Sequence, residues 1–397
     1  MAQQNSHGTN PLADAETQLL AVRQSNLTRK LQATVSKSAT QIQVDGVELI
    51  NFSSNDYLNL GSHPRVVAAA QAALAAYGAG SRASRVLSGN LPVHDELEAE
   101  LAGLKKADAA LVFSSGYLAN LGVLQVLSRR SDNSHVPIFF DRLSHACVVD
   151  GALGAGRHWR AFPHNNTSCL EAQLSRLPRG RSPRALIVTE GVFSMDGDIA
   201  PLPELLQLCE VYDALLVVDD AHGTGTMGAE GCGTAAFHGI SNSPRLIHVG
   251  TLSKALGSQG GFVAGARTVV DLLVNRARTF IFETALAPPC AAAALEALRI
   301  LRSEQHRVME LQNNASYLRE LLGLPSSNTP IIPVIMGEPN RALQVAEALK
   351  AAGFLVHAIR PPTVPRGTSR LRITLSSAHT REHIAALANA VLHLSAG

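Results

Sequence analysis

The chain has 397 residues, 46% hydrophobic and 17% charged, and its 34 Lys plus Arg nearly cancel its 32 Asp plus Glu to leave a net +2. That length allows two or three domains at roughly 150 residues each, and the near-neutral balance gives no reason to expect a nucleic-acid or membrane-surface partner. The charge fraction is low beside the roughly 25% of an average globular protein, which implies extensive buried surface in a core or between subunits.

The five cysteines, Cys147, Cys169, Cys209, Cys232 and Cys290, are scattered without a Cys-x-x-Cys pair. They read as reduced packing thiols rather than as a disulfide framework. The first ten residues are polar and lack an apolar signal core, and no apolar run reaches the roughly 18 residues of a membrane span. The expectation is a cytoplasmic enzyme or binding protein.

Between residues 11 and 40, Leu19, Leu20, Leu27 and Leu31 recur at mixed helical spacing, and 41–52 alternates as a short hairpin through Ile42, Val44, Val47 and Leu49. Alanine-rich 64–77 predicts a helix, and 92–104 a second with Pro92 in its first turn. Short apolar runs then alternate with helical stretches, at 109–113, 138–140, 185–188, 215–218, 246–249 and 261–264. Most spacers hold about 25–35 residues, enough for a crossover helix, so the rhythm predicts an α/β domain with a largely parallel sheet. Runs such as Leu215-Leu216-Val217-Val218 suit strands covered on both faces. A long helix starting near 291–302 is expected to leave this domain, and the segments 331–336, 342–352, 354–359 and 371–375, with a closing helix after His379, read as a smaller α+β unit. The expected organisation is an N-terminal helix and hairpin over 1–57 packing with the small domain, a large domain over 58–300, and the small domain over 301–397.

Ligands of an open α/β sheet bind beyond the carboxyl ends of its strands, and four polar clusters follow strand candidates directly. Ser114-Ser115-Gly116-Tyr117 precedes a helix from about Leu118, where free backbone N–H groups suit a phosphate, although an ordinary capped turn has the same composition. Asp141-Arg142-Leu143-Ser144-His145 offers a flat imidazole that could stack on an aromatic cofactor; a lone histidine is more often structural. Asp219-Asp220-Ala221-His222 places two carboxylates at the end of a buried strand, where an unpaired charge costs several kcal/mol. A cation should therefore face Asp219, either a metal or a protonated ring nitrogen. Gly250-Thr251-Leu252-Ser253-Lys254 sets a lysine after a buried strand, 35 residues beyond Asp219, with two hydroxyls nearby. A phosphate cradle, a ring stacker, an anion and an amine together make the parts of a pyridoxal 5′-phosphate site. Gly223-Thr224-Gly225-Thr226-Met227-Gly228 spells a dinucleotide fingerprint, but it runs on into more glycine loop, and no acidic residue stands about 20 positions later.

In this order, Asp219-x-x-His222 followed by Thr251-x-x-Lys254 resembles the α-oxoamine synthases, which join an amino acid to an acyl thioester. The resemblance extends through 51–58 (Asn-Phe-Ser-Ser-Asn-Asp-Tyr-Leu), 189–198 (Thr-Glu-Gly-Val-Phe-Ser-Met-Asp-Gly-Asp) and 358–365 (Ala-Ile-Arg-Pro-Pro-Thr-Val-Pro), and covers about residues 20–390. It implies a fold type I, aspartate-aminotransferase-like transferase whose active site lies between the subunits of a homodimer. Lys254 would carry pyridoxal 5′-phosphate as a Schiff base and act as general base and acid, Asp219 would keep the pyridine nitrogen protonated, and His222 and Ser194 would contact the ring oxygen. His145 would stack on the ring; Ser115, Gly116, Tyr117 and Thr251 would serve the cofactor, chiefly its phosphate. Arg372 would pair with the amino-acid carboxylate, Asn55 and Glu190 would position the reacting carbonyl, and Arg29 and Thr363 fall on the acyl side. The 358–365 motif points within the family to condensation of L-alanine with a pimeloyl group, carried on coenzyme A or on acyl-carrier protein, in biotin biosynthesis, with no metal. A sister synthase using glycine and acetyl-CoA shares the cofactor residues, and a nicotinamide oxidoreductase is the alternative from another class. Two departures stand out: Arg82 makes the turn at 80–85 more basic than is common in the family, and Glu283 precedes Thr284, which the resemblance places toward a neighbouring subunit's phosphate.

Overall fold

The computed structural model describes residues 10–24, 28, 29, 31–156, 158–178, 180 and 182–395. After a first helix, an antiparallel ribbon is formed by β1 (Thr34–Ser36), β2 (Gln41–Val44) and β3 (Val47–Asn51). Asp45 and Gly46, both at positive φ, make the two-residue turn between β2 and β3, a geometry that matches strand twist. The preceding helix, Ala13–Gln24, buries none of its residues, and Leu31 is fully exposed. Helical spacing at the start of the chain therefore does not mark a core face. Leu27 and the first nine residues lie outside the described residues.

A seven-stranded sheet occupies the middle of the molecule. Its strands are β4 (Ala109–Phe113), β5 (Ile138–Asp141), β6 (Trp159–Phe162), β7 (Ala185–Glu190), β8 (Ala214–Asp219), β9 (Leu246–Thr251) and β10 (Gly261–Gly265), in spatial order β4-β10-β9-β8-β7-β5-β6. β5 to β9 pair in parallel, while β10 runs antiparallel to both β9 and β4. Both faces are covered. Phe139, Ile187, Leu216 and Val218 belong to one apolar cluster, and Phe140, Val188, Val217 and Val249 to another, as the two-residue strand period requires. Full burial of each such side chain is worth about 1.5–3 kcal/mol. The six apolar runs read from sequence are all strands. β6 carries no such signal, because Trp159-Arg160-Ala161 is an exposed edge and only Phe162 is buried.

β11 (Ile331–Gly337), β13 (His357–Ile359) and β14 (Ser369–Thr374) form a small antiparallel sheet, while β12 (Phe354–Leu355) joins β3 in parallel. That pairing ties residues 50 and 51 to the C-terminal part of the chain. The helix Pro288–Ser303 does not leave the large domain. It packs on the helices Pro64–Tyr77 and Pro92–Lys105 through buried residues that include Ala294, Leu298 and Leu301. One cluster contains Leu97, Leu298, Leu311, Ile373 and Leu387, so the core is continuous across residue 300. We propose the divisions at 57 and 300 as chain organisation within that shared core.

Candidate active site

Since β5, β7, β8 and β9 are parallel, their carboxyl ends lie along one edge of the sheet and deliver Asp141, Glu190, Asp219 and Thr251 there. β4 and β10 complete the edge. In β10, Gly261 comes so close to the turn after β4 that a Cβ at 261 would lie 2.3 Å from the Gly116 amide nitrogen. Only glycine permits that approach.

Asp219 is buried at the end of β8. Its carboxylate accepts from Asn120 Nδ2 at 2.8 Å, from the Ala221 amide at 3.1 Å and from Cys147 Sγ at 3.8 Å, and it forms no ion pair among the described residues. The adjacent Asp220 differs. Lys105 Nζ approaches it to 2.7 Å and Thr234 Oγ1 donates to it at 2.7 Å, so one of the two carboxylates has its cation within the fold. The unanswered carboxylate is Asp219.

Lys254 lies in the loop after β9, half-buried, with Nζ 3.0 Å from His222 Nε2. Burial lowers its pKa; the carboxylates of Asp219 and Glu190 act in the opposite sense, and Arg372 adds to the lowering. His222 is pushed well below the usual imidazole value by burial and then by the charge of Lys254, so it is neutral. Glu190 is pushed up to about 8, first by burial and then by Asp219. Its Oε2 accepts from the Ser194 amide at 3.0 Å, whereas Oε1 is buried with no hydrogen-bond partner among the described residues. His145 caps the helix Ala146–Gly154, with Nδ1 accepting from the Cys147 amide at 3.3 Å. Its ring is exposed on one side, yet enough protein crowds the other to lower its pKa.

Arg372, on β14, reaches across from the small sheet. Its Nε donates to the Ser194 carbonyl at 2.6 Å, and an Nη stands 3.5 Å from Asn55 Oδ1. Ser115 Oγ caps the helix Gly116–Leu127 through the Leu118 amide at 3.2 Å, and Thr251 Oγ1 lies 2.7 Å from Ser253 Oγ. The Tyr117 side chain turns outward. It is 41% exposed and donates to Asp150, so only its backbone belongs to the turn. Arg29 and Thr363 are exposed, and no hydrogen bond connects either to the Lys254 cluster among the described residues. Glu283 accepts from Ser114 beside the same turn, and burial raises its pKa.

A phosphorylated pyridine aldehyde fits these residues on three counts. Asp219 is a buried anion in want of a cation, which a protonated ring nitrogen supplies. Lys254 is an amine whose neutral, nucleophilic form is favoured by burial. At Gly116 a Cβ would sit 3.3 Å from Thr251 Cβ, so its absence opens a cradle at a helix start, where first-turn amides have no intrahelical acceptor. Among the described residues no group of three or more His, Cys, Asp or Glu is arranged to hold a metal.

Sequence reasoning passed over Tyr57 and Asn120. Tyr57 is fully buried with its hydroxyl 2.7 Å from His222 Nδ1, and its position inside 51–58 was the available signal. Asn120, a polar residue among the buried positions of the helix Gly116–Leu127, was equally legible.

A family model described as aminotransferase class I and II matches residues 47–391. The chain is 46% identical over 384 residues to the 8-amino-7-oxononanoate synthase of Methylobacterium nodulans, covering 97% of each. It is 47% identical to that of Methylobacterium radiotolerans over 96% of this chain and 98% of the relative. Among solved structures, the serine palmitoyltransferase of Sphingomonas wittichii superposes with a TM-score of 0.90 at 30% identity, covering 98% of both chains. An 8-amino-7-oxononanoate synthase from Francisella tularensis gives 0.73 at 30% identity over 88% of this chain and 97% of that one.

Proposed function

From the premise that the chain belongs to the class I and II aminotransferase family, we propose that it is a pyridoxal-phosphate-dependent acyltransferase with 8-amino-7-oxononanoate synthase activity. It condenses L-alanine with a pimeloyl thioester, releasing CO₂ and the free thiol, in biotin biosynthesis. The observation that carries this reading is a neutral-prone Lys254 amine facing a buried, cation-free Asp219 in a chain 46% identical to synthases of that name. The serine palmitoyltransferase likeness supports the fold, and its lower identity of 30% leaves the substrate choice with the synthases.

When bound, pyridoxal phosphate supplies an electron sink for charge developing at the amino-acid α-carbon. The chain's residues do the rest. Lys254 would hold the cofactor through its amine and, as a free amine, would move the α-proton. Asp219, held by Asn120 and the Ala221 amide, would keep a proton on the ring nitrogen. His222 and Ser194 would hold the ring oxygen, and His145 would cover the ring. The Ser115–Tyr117 backbone and Thr251 hold the phosphate. Arg372 binds the alanine carboxylate; Ser194 engages its Nε and Asn55 lies 3.5 Å from one terminal nitrogen, which orients the guanidinium. Glu190, protonated at neutral pH, can donate from its unpartnered oxygen to the thioester carbonyl, with Asn55 beside it. Arg29 and Thr363 lie on the acyl side. The acyl group arrives on coenzyme A or acyl-carrier protein, and two chains associate as a homodimer; the 79% and 71% exposure of the large apolar side chains Leu87 and Phe282 supports their burial against a second copy. Among the described residues no helix is long and apolar enough to cross a membrane, in keeping with a cytoplasmic location.

The test is CO₂ release from alanine by the loaded protein with thioesters of increasing acyl length. Turnover peaking at pimeloyl supports the reading; turnover confined to glycine with acetyl-CoA overturns it.

A further inference from the structure

Tyr57 sits at the bottom of the site with no exposed surface, in the turn between β3 and the helix Pro64–Tyr77. Its hydroxyl lies 2.7 Å from His222 Nδ1 and 3.2 Å from Asn55 Oδ1, and the Arg372 guanidinium, which can only donate, acts on its oxygen. On the far side of the imidazole, His222 Nε2 lies 3.0 Å from Lys254 Nζ. A buried tyrosine usually satisfies its hydroxyl on whatever acceptor is near. This one instead joins Asn55, which Arg372 approaches at 3.5 Å, to the imidazole that contacts the lysine.

Proton counting turns this chain into a switch. The phenol has one proton, and burial raises its pKa to about 12, so that proton stays. A neutral imidazole has one N–H shared between two nitrogens. If the phenol donates to Nδ1, the N–H must be on Nε2 and points toward Lys254, which then accepts as a neutral amine. If the phenol donates to Asn55, Nδ1–H donates to the phenol oxygen and bare Nε2 accepts from a charged Lys254. The 2.7 Å contact is the stronger of the two. We propose that Tyr57 is a positioning residue that donates to Nδ1, fixes His222 as the Nε2–H tautomer and thereby keeps Lys254 as a neutral amine.

The proposal rests on Lys254 being the cofactor-bearing amine. The other charged or titratable groups acting on Lys254 and His222 are Asp219, Glu190, Cys147, His145 and Arg372; of these Arg372 also hydrogen-bonds the Tyr57 phenol, and any effect routed through it persists when His222 is replaced. With Tyr57→Phe, the imidazole is free to take the Nδ1–H form and stabilise charged Lys254.

The experiment follows, against pH, the rate at which pyridoxal phosphate attaches to the cofactor-free protein, read as growth of visible absorbance. Only the neutral amine reacts. In Tyr57→Phe the midpoint should rise by about one pH unit, a tenfold loss of neutral amine below it. A fluorotyrosine at 57, a stronger donor of unchanged shape, should move it the other way, and it also serves if Tyr57→Phe folds poorly. In a His222→Asn background, Tyr57→Phe should add no shift, since Tyr57 acts through His222. An unchanged midpoint, or an equal shift in both backgrounds, overturns the proposal. If wild type never gains visible absorbance, the failure belongs to the cofactor assignment instead.

Discussion

Lys105 and Asp220 form an ion pair in which neither side chain has more than 1% exposure, at 2.7 Å, between the end of the helix Pro92–Lys105 and the residue after Asp219. Lys105 also donates to Thr224 Oγ1 and the Cys232 carbonyl at 2.8 Å each, and Asp220 takes the Thr234 hydroxyl. All three donors on the ammonium are used. The pair anchors the loop that carries His222, and so holds the site from behind.

Removing one partner leaves a buried, uncompensated charge, a loss of about 3–5 kcal/mol. Lys105→Met should lower the unfolding free energy by that amount, and Lys105→Met with Asp220→Asn should cost less than the two single changes added. Additive losses in urea titrations would show that the pair is not coupled.

Glu190 gives the fold a pH dependence of definite sign. Its carboxyl stays protonated up to about pH 8 in the folded chain against an ordinary value of 4.5. Between those values the unfolded chain releases a proton that the folded chain keeps, so stability falls as pH rises, by up to about 1.4 kcal/mol per unit. Glu190→Gln should flatten that stretch of the stability profile in chemical unfolding of the cofactor-free protein. An unchanged slope would place its carboxyl in the ionised state.

Asp219→Asn preserves shape and the Asn120 neighbour but removes the anion. Turnover should fall by roughly 10²–10³-fold, the scale of losing one preorganised electrostatic partner, with the unfolding midpoint nearly unchanged. A variant with wild-type turnover would show that no ring nitrogen depends on this carboxylate.

Arg372→Lys keeps the charge but loses the fork that binds a carboxylate by two bonds. The loss of a charged hydrogen bond, about 1.5–3 kcal/mol, corresponds to roughly a tenfold to hundredfold higher KM for alanine. Titrating alanine at saturating thioester measures it; the KM for the thioester should move little.

Much of this architecture was legible from pattern alone. The runs at 185–188, 215–218 and 246–249 are strands because they are apolar on both faces, and being parallel they place Glu190, Asp219 and Thr251 together. β6 escaped because an edge strand exposes Trp159 and Arg160 to solvent. The role of Asp220 could not be separated from that of Asp219 in sequence, since its cation, Lys105, lies 115 residues away and pairs only through tertiary packing. The outward turn of the Tyr117 side chain and the closeness of Tyr57 to His222 are likewise matters of rotamer and long-range contact.

The most direct measurement loads the purified chain with pyridoxal phosphate, reduces it with borohydride and maps the modified peptide by mass spectrometry. Label on Lys254, with loss of both label and turnover in Lys254→Ala, is the expected result. Label on another lysine, or full turnover by Lys254→Ala, would contradict the pairing of Lys254 with Asp219 from which the chemistry is drawn.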